Sequence, residues 1–306
     1  MQTRLAACGL TTLAVLTSWT PIEAQRYPLA PRVTAGETIH PFFEGFYLNP
    51  DGSRTLSFGY FNRNLGDNPT YIPLGEDNFI EPAEFDGVQP EWFPIRRQRG
   101  VFVVTVPPDW PIDRTVTWTF RSGGEMFSGP SSFHDAYQLK FPMAMGSSPP
   151  FFRMEPEGEE RFGIGDPLRS EPRTASVGEP IEFTFWARDQ LEPNAPREEV
   201  AVRVTMWTHW GPELATIIAE QPPEEETNDG GGGPQFPNQN FDEPPMLNST
   251  QIPLDSDDGA AKFTVTFDEP GEYLLRVMVD NHDAVDSGQG DQCCWTNGFV
   301  EVIVSP

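Results

Sequence analysis

The chain has 306 residues, with 46 Asp and Glu against 20 Lys and Arg and a formal net charge of −26. So acidic a surface excludes the basic face that nucleic acid requires and is repelled by anionic lipid. Glycine (27) and proline (33) punctuate the chain too often for long helices and suit short strands joined by turns.

Residues 1–24 read as a secretory signal, with Arg4 before the apolar run Leu5 to Trp19 and Ile22-Glu23-Ala24 offering a small residue for cleavage. Gln25 then begins the exported chain, which is secreted, periplasmic or at the cell surface. The apolar run is too short for a membrane span, and no later segment approaches its length. Leu5-Ala6-Ala7-Cys8 imitates a lipoprotein box, but the apolar run lies after Cys8 instead of before it. Cleavage removes Cys8 and leaves the adjacent pair Cys293 and Cys294, which is no disulfide framework, so an apolar core must hold the fold.

Residues 25–36 form an extended lead-in, and a first β-sandwich is predicted over 37–142. Phe42 to Tyr47 is followed by Asn49-Pro50-Asp51-Gly52, a hairpin turn in which Gly supplies the positive φ. The return strand alternates Leu56, Phe58 and Tyr60 with Thr55, Ser57 and Gly59, the period of a sheet with one buried face. Thr70 to Leu74, Val101 to Val106 and Thr115 to Phe120 are further strands, and Tyr137-Gln138-Leu139 closes the unit. Residues 143–174 lack periodicity and read as a connection. A second sandwich is predicted over 175–306. Ile181, Phe183, Phe185 and Ala187 share one strand face, as do Val200, Val202, Val204 and Met206. Phe263, Val265 and Phe267 repeat the pattern, followed by Tyr273, Leu275, Val277 and Val279, and a last strand runs from Phe299 to Val304. Between about 220 and 250 the acidic, Pro- and Gly-rich run around Glu224-Glu225-Glu226 and Gly230 to Gly233 predicts a long disordered loop within this second sandwich. The fold class is therefore all-β, two tandem β-sandwiches with a long disordered acidic insertion in the second.

The C-terminal unit resembles bacterial immunoglobulin-like and PKD-like domains. The resemblance rests on Asp268-Glu269-Pro270-Gly271-Glu272-Tyr273-Leu274-Leu275-Arg276-Val277, on Val300-Glu301-Val302-Ile303-Val304, and on Val177-Gly178-Glu179-Pro180 before an alternating strand. It implies that Tyr273 bonds back to the backbone at the corner before its strand. The N-terminal unit resembles another module of bacterial extracellular proteins through Leu56 to Asn62, Ile72-Pro73-Leu74-Gly75, Gln89-Pro90 and Gly100 to Val104. Neither resemblance carries catalytic residues.

Four places could carry chemistry. Cys293 and Cys294 can close a vicinal disulfide, pack as separate thiols, or pair with another chain, and Trp295 beside them is a candidate ligand platform. Asp280, Asp283, Asp286 and Asp291 are weak calcium candidates, as are Asp255, Asp257 and Asp258, but no stretch matches an EF-hand loop and acidic turns are commonly just solvated. Arg96, Arg97 and Arg99 form a basic cluster that either grips an anionic partner or balances charge at a sheet edge. Phe42, Phe43, Phe46, Tyr47, Trp110, Trp207 and Trp210 offer flat faces to a sugar, if they are exposed. The four histidines, His40, His134, His209 and His282, have no short metal-ligand spacing, and no nucleophile elbow, zinc-protease or phosphate-loop motif occurs. The expectation is a non-enzymatic secreted protein that binds an extracellular protein or glycan or serves a structural role, with no cofactor beyond calcium. The alternative is a carbohydrate-binding module or a divergent glycan-active enzyme, which requires a concave aromatic patch with convergent carboxylates.

Overall fold

The computed structural model describes residues 36–64, 69–141, 145–222, 248–256, 259–281 and 295–306. The signal, most of the lead-in, most of the acidic insertion, and Asp283, Asp286, Asp291, Cys293 and Cys294 lie outside the described residues.

The N-terminal half is built from β1 (Ile39–Leu48), β2 (Arg54–Asn62), β3 (Thr70–Tyr71), β4 (Asn78–Glu81), β5 (Trp92–Phe93), β6 (Arg96–Val106), β7 (Thr117–Ser122) and β8 (Glu125–Pro130). They form two three-stranded sheets, β1-β2-β6 and β4-β7-β8, and the small pair β3-β5. The first turn forms as its residues require. Gly52 adopts φ 86°, and its N–H and that of Asn49 close the turn at 2.9 Å each. The Asp51 carboxylate accepts from Ser53 N and Oγ, which holds its pKa below the usual carboxylate range. Leu56, Phe58 and Tyr60 enter a core with Phe93, Phe102, Trp118 and Phe120, whose rings meet in stacked and edge-on pairs.

Two expectations for this half are corrected. The single buried face of β2 is in fact two, since Thr55 and Ser57 are as buried as the core side chains. Residues 137–139 lie against Gly45, and the Glu44 side chain folds over Gly59, where a Cβ would clash. Period-2 alternation reports side-chain polarity, and small polar residues accept a covered face when hydrogen bonds are available, as between Thr55 and Thr105 Oγ1 at 3.0 Å. Tyr137-Gln138-Leu139 is no strand. Asp135–Tyr137 is a short 3-10 turn, and Gln138 makes one isolated parallel bridge to Phe46.

The C-terminal half contains β9 (Phe151–Arg153), β10 (Arg161–Phe162), β11 (Leu168–Arg169), β12 (Arg173–Ser176), β13 (Ile181–Arg188), β14 (Val202–Trp210), β15 (Thr216–Ala219), β16 (Ser249–Ile252), β17 (Ala260–Thr266), β18 (Gly271–Asp280) and β19 (Trp295–Ser305). One sheet runs β10-β9-β13-β17-β15 and the other β11-β19-β18-β14-β16, with β12 beside β19 in parallel. The alternating residues of β13, β14, β17, β18 and β19 interleave in one core. The resemblance to immunoglobulin-like domains holds at its most specific point, because Tyr273 Oη donates to Glu269 O at 2.9 Å.

The stretch 143–174 contributes β9 to β12 to these sheets, and Phe152 is wholly buried in their core. Strands of two to four residues are too short to show a period, which is why this segment reads as a connection. At the acidic insertion, β15 and β16 tie its two ends together. Thr250 Oγ1 donates to Glu220 O at 2.7 Å and Gln221 Nε2 to Ser249 O at 2.9 Å.

Candidate functional site at the junction of the two halves

Three irregularities of the strands converge where the halves meet. In β1 the register slips between Phe43 and Gly45, leaving Glu44 as the extra residue. In β6 the register against β2 slips around Gly100, between the partners of Phe58 and Tyr60, and Gly100 takes φ 50°. In β14 it slips between Thr208 and Trp210, leaving His209 unmatched. A bulge re-aims a side chain out of the alternating pattern, and each of these aims a polar group at the junction.

Gly100 is the hub. Its N–H donates to Glu44 Oε2 at 2.6 Å, and its carbonyl accepts from Asn297 Nδ2 and from Arg276 Nη2 at 3.4 Å. A Cβ at Gly100 would collide with the Trp295 indole and approach Ile164 Cδ1 to 3.1 Å. The other Glu44 oxygen accepts from Arg97 Nη2 at 2.7 Å. Burial raises the Glu44 pKa, and the opposing pull of Arg97 and of the Gly100 amide comes second. Arg276 is fully enclosed. Its Nε donates to Asn297 Oδ1 at 3.3 Å and its Nη2 to Arg99 O at 3.1 Å, and the guanidinium lies over the Trp207 ring at 5.2 Å. Burial lowers its pKa to about 10.

A second set of bonds lies beside the first. His209 Nε2 meets Val88 O at 2.9 Å, and its own carbonyl accepts from Glu91 N at 2.8 Å. Trp92 Nε1 donates to Gly211 O at 3.2 Å, and Gly211 N donates to Glu91 Oε2 at 3.3 Å. Burial drives the His209 pKa down to about 3, so the ring is neutral at ordinary pH and is the donor to the Val88 carbonyl. Tyr60, Pro90, Trp92, Pro94, Trp207, Thr208, His209 and Arg276 are among the residues around a crevice with about 10 Å³ of free space, room for one water-sized group.

Of the residues singled out from sequence, Arg97, Arg99 and Trp295 come together here. Arg97 bonds Glu44 and lies over Phe42 at 4.1 Å, so this part of the basic cluster balances an internal charge on β6, an outer strand of its sheet. Arg96 begins β6 in a left-handed conformation, φ 69°. Trp295 is buried against Gly100 and presents no platform to solvent. Asp280 sits opposite Trp295 in the β18–β19 ladder and accepts from Arg203 Nε at 3.1 Å. Among the described residues no group of three metal-ligating side chains occurs.

The candidate sugar-binding aromatics do not gather on one surface. Phe46 and Trp110 are buried, Trp207 lies under Arg276, and Phe42, which is exposed, lies beside Arg97. Among the described residues no tryptophan is exposed. Glu44, Gly100, His209, Arg276 and Asn297 escaped the sequence reading. The available signal was a charge inside an apolar strand, as in Phe43-Glu44-Gly45-Phe46 and Leu275-Arg276-Val277.

A second buried polar cluster closes the end of the C-terminal half. Asp189 accepts from Arg197 Nη1 at 2.7 Å and Nη2 at 3.1 Å, from Val200 N at 3.1 Å and from Asn281 Nδ2 at 3.0 Å. Arg197 Nε continues to Ser147 Oγ at 2.8 Å, and Asn281 Nδ2 also reaches Ser148 O at 3.1 Å.

These features define an all-β protein with two packed cores, joined by a hydrogen-bonded junction. No family model matches the chain, and no curated protein is similar to it. Among solved structures it is similar to the D0-D1 domain of intimin, at 10% identity and a TM-score of 0.23, covering 87% of this chain and 100% of that one. It is also similar to domains 4 and 5 of the S-layer protein SbsC, at 13% identity and a TM-score of 0.21, covering 88% and 100%. Scores this low carry no argument about fold or role, which rest on the chain's own residues. No helix among the described residues is long and apolar enough to cross a membrane.

Proposed function

We infer that the protein is exported and non-enzymatic, a structural or binding element in which two sandwiches are locked into one body. The observation that carries this reading is the fate of the buried charges. Glu44 is engaged by Arg97 and Gly100, Asp189 by Arg197, Val200 and Asn281, and Asp280 by Arg203. Buried ionisable groups poised for catalysis sit in a cleft with a reachable proton, whereas these are spent on holding backbone and neighbouring strands. The junction crevice is too small for a sugar ring.

Export rests on residues 1–24, and mass spectrometry of protein recovered from outside the cytoplasm is expected to find Gln25 as its first residue. Calorimetry of the exported chain tests the locked junction. Both halves are expected to unfold in a single transition whose calorimetric and van't Hoff enthalpies agree. Two separated transitions would remove the basis for one rigid body. A glycan array is expected to give no binding, and saturable glycan binding would favour the carbohydrate-binding alternative.

A further inference from the structure

We propose that the junction is an acid-sensitive latch, in which protonation of His209 frees the two halves from each other while both cores stay folded. This deepens the reading of a locked junction and rests on it. His209 belongs to the C-terminal half and is only 2% exposed. Its ring bonds Val88 O of the N-terminal half at 2.9 Å, and its carbonyl accepts from Glu91 N at 2.8 Å. Trp92 Nε1 and Gly211 N add two more bonds across the same seam, at 3.2 and 3.3 Å. These cross-junction bonds fall within two short segments, 88–92 and 209–211, and the one titratable ring sits among them. His209 is part of neither apolar core, and each core is closed by residues of its own half. The seam can therefore part without emptying either interior.

The surroundings leave no place for a charged imidazole. The ring meets Phe299 edge-on at 5.2 Å between centres. Two guanidiniums act on it, Arg276 from β18 and Arg169 from β11, and both oppose a proton there. The carboxylates nearby are engaged elsewhere. Glu44 already balances Arg97, Arg99 and Arg276, and Glu91 accepts from Gly211 N and Leu74 N. Tyr60, which lines the same crevice, is neutral at any acidic pH. Burial holds the enclosed ring at about 3, against the pull of the Val88 carbonyl, whereas a ring released to water titrates near 6.5. A proton therefore binds the open junction more tightly than the closed one, and acid favours opening from about pH 6.5 down to about 3. Between pH 7 and pH 4 this group alone raises the opening constant about 200-fold. Glu44, raised by burial, has the opposite sign and favours the closed junction just above pH 4.5.

Amide hydrogen exchange of the full exported chain, at constant ionic strength and corrected for the intrinsic effect of pH on exchange, reads the opening directly. The bonded amides of Glu91 and Gly211 are expected to lose protection between pH 7 and pH 4, while those of β13 and β17 keep theirs. His209→Gln retains a side-chain N–H for Val88 O and takes up no proton. The loss in the native chain is expected to exceed that in His209→Gln about 200-fold, because Glu44 acts equally in both. Equal losses in the two chains would overturn the proposal. In the native chain alone, the His209 ring followed by NMR is expected to stay neutral for as long as these amides are protected. A ring that takes up its proton while Glu91 and Gly211 stay protected would overturn the proposal without recourse to a variant. Two calorimetric transitions already at pH 7 would remove the locked junction itself. A single transition at pH 7, with protection indifferent to pH, would remove only the latch.

Discussion

Gly100→Ala tests the junction at its hub, and its cost divides into two parts. Gly100 has φ 50°, so alanine there takes the left-handed conformation at about 1–2 kcal/mol. The new Cβ also collides with the Trp295 indole and presses on Ile164. Trp295 is fixed in the β18–β19 ladder and Gly100 between the bonds to Glu44 and Asn297, so neither yields freely. Overpacking of this kind costs about 1–3 kcal/mol. The expected loss is therefore about 2–5 kcal/mol, a large share of the 5–15 kcal/mol by which a domain is stable. Gly87→Ala is the control, because Gly87 has φ 101° and open space where the Cβ would lie. It carries only the conformational cost. Urea unfolding followed by tryptophan fluorescence measures both variants. If Gly100→Ala costs no more than Gly87→Ala, the junction is too loose for the contacts described here to matter.

Further outcomes follow from the same structure. His209 is neutral when folded, with a pKa of about 3, and near its ordinary 6.5 when unfolded. The unfolded chain therefore binds more protons between those values, and stability falls with falling pH by about 1 kcal/mol per unit in that window. Glu44, raised by burial, acts with the opposite sign just above pH 4.5, so the His209 contribution is read as the difference between the native chain and His209→Gln in pH-dependent urea titrations. Tyr273→Phe removes the bond to Glu269 O and is expected to cost about 1 kcal/mol in the same assay, and no loss would mean that the corner bond is decorative. Arg197→Ala leaves the buried Asp189 carboxylate without its charged partner and is expected to cost about 3–5 kcal/mol. Arg188→Ala, whose pair with Glu160 is exposed, is expected to change stability by less than about 1 kcal/mol.

The strands that alternate over seven or more residues were legible because one face of each meets a core. The alternating apolar residues of β13, β17 and β18 all reach the same interior. What escaped is what alternation cannot encode. Residues 149–176 supply only short strands to sheets already formed, and β16 follows directly on the acidic insertion. The junction escaped for a different reason. Its polar groups lie at bulges, and a bulge is defined by the partner strand, which a single strand's sequence does not contain. Tyr273 was legible because its signal is local: the Pro-Gly turn precedes it, and its partner Glu269 lies four residues back.

The choice of arginine over lysine, 18 to 2, acquires a structural reason from the same contacts. Arg54, Arg97, Arg114, Arg169, Arg173, Arg188 and Arg276 each lie over an aromatic ring, at 4.0 to 5.4 Å from its centre. A planar, weakly hydrated guanidinium can stack and still donate from its edge, and Arg97 does both, over Phe42 and toward Glu44. Lysine offers a strongly hydrated point charge whose three donors radiate from one nitrogen, so it cannot reproduce the two separate positions from which Arg276 Nε meets Asn297 Oδ1 and Nη2 meets the Arg99 and Gly100 carbonyls. Arg276→Lys is therefore expected to lose most of the junction's cohesion while keeping its charge. If calorimetry found a single transition at an unchanged Tm, charge alone would account for the residue, and the forked geometry would be dispensable.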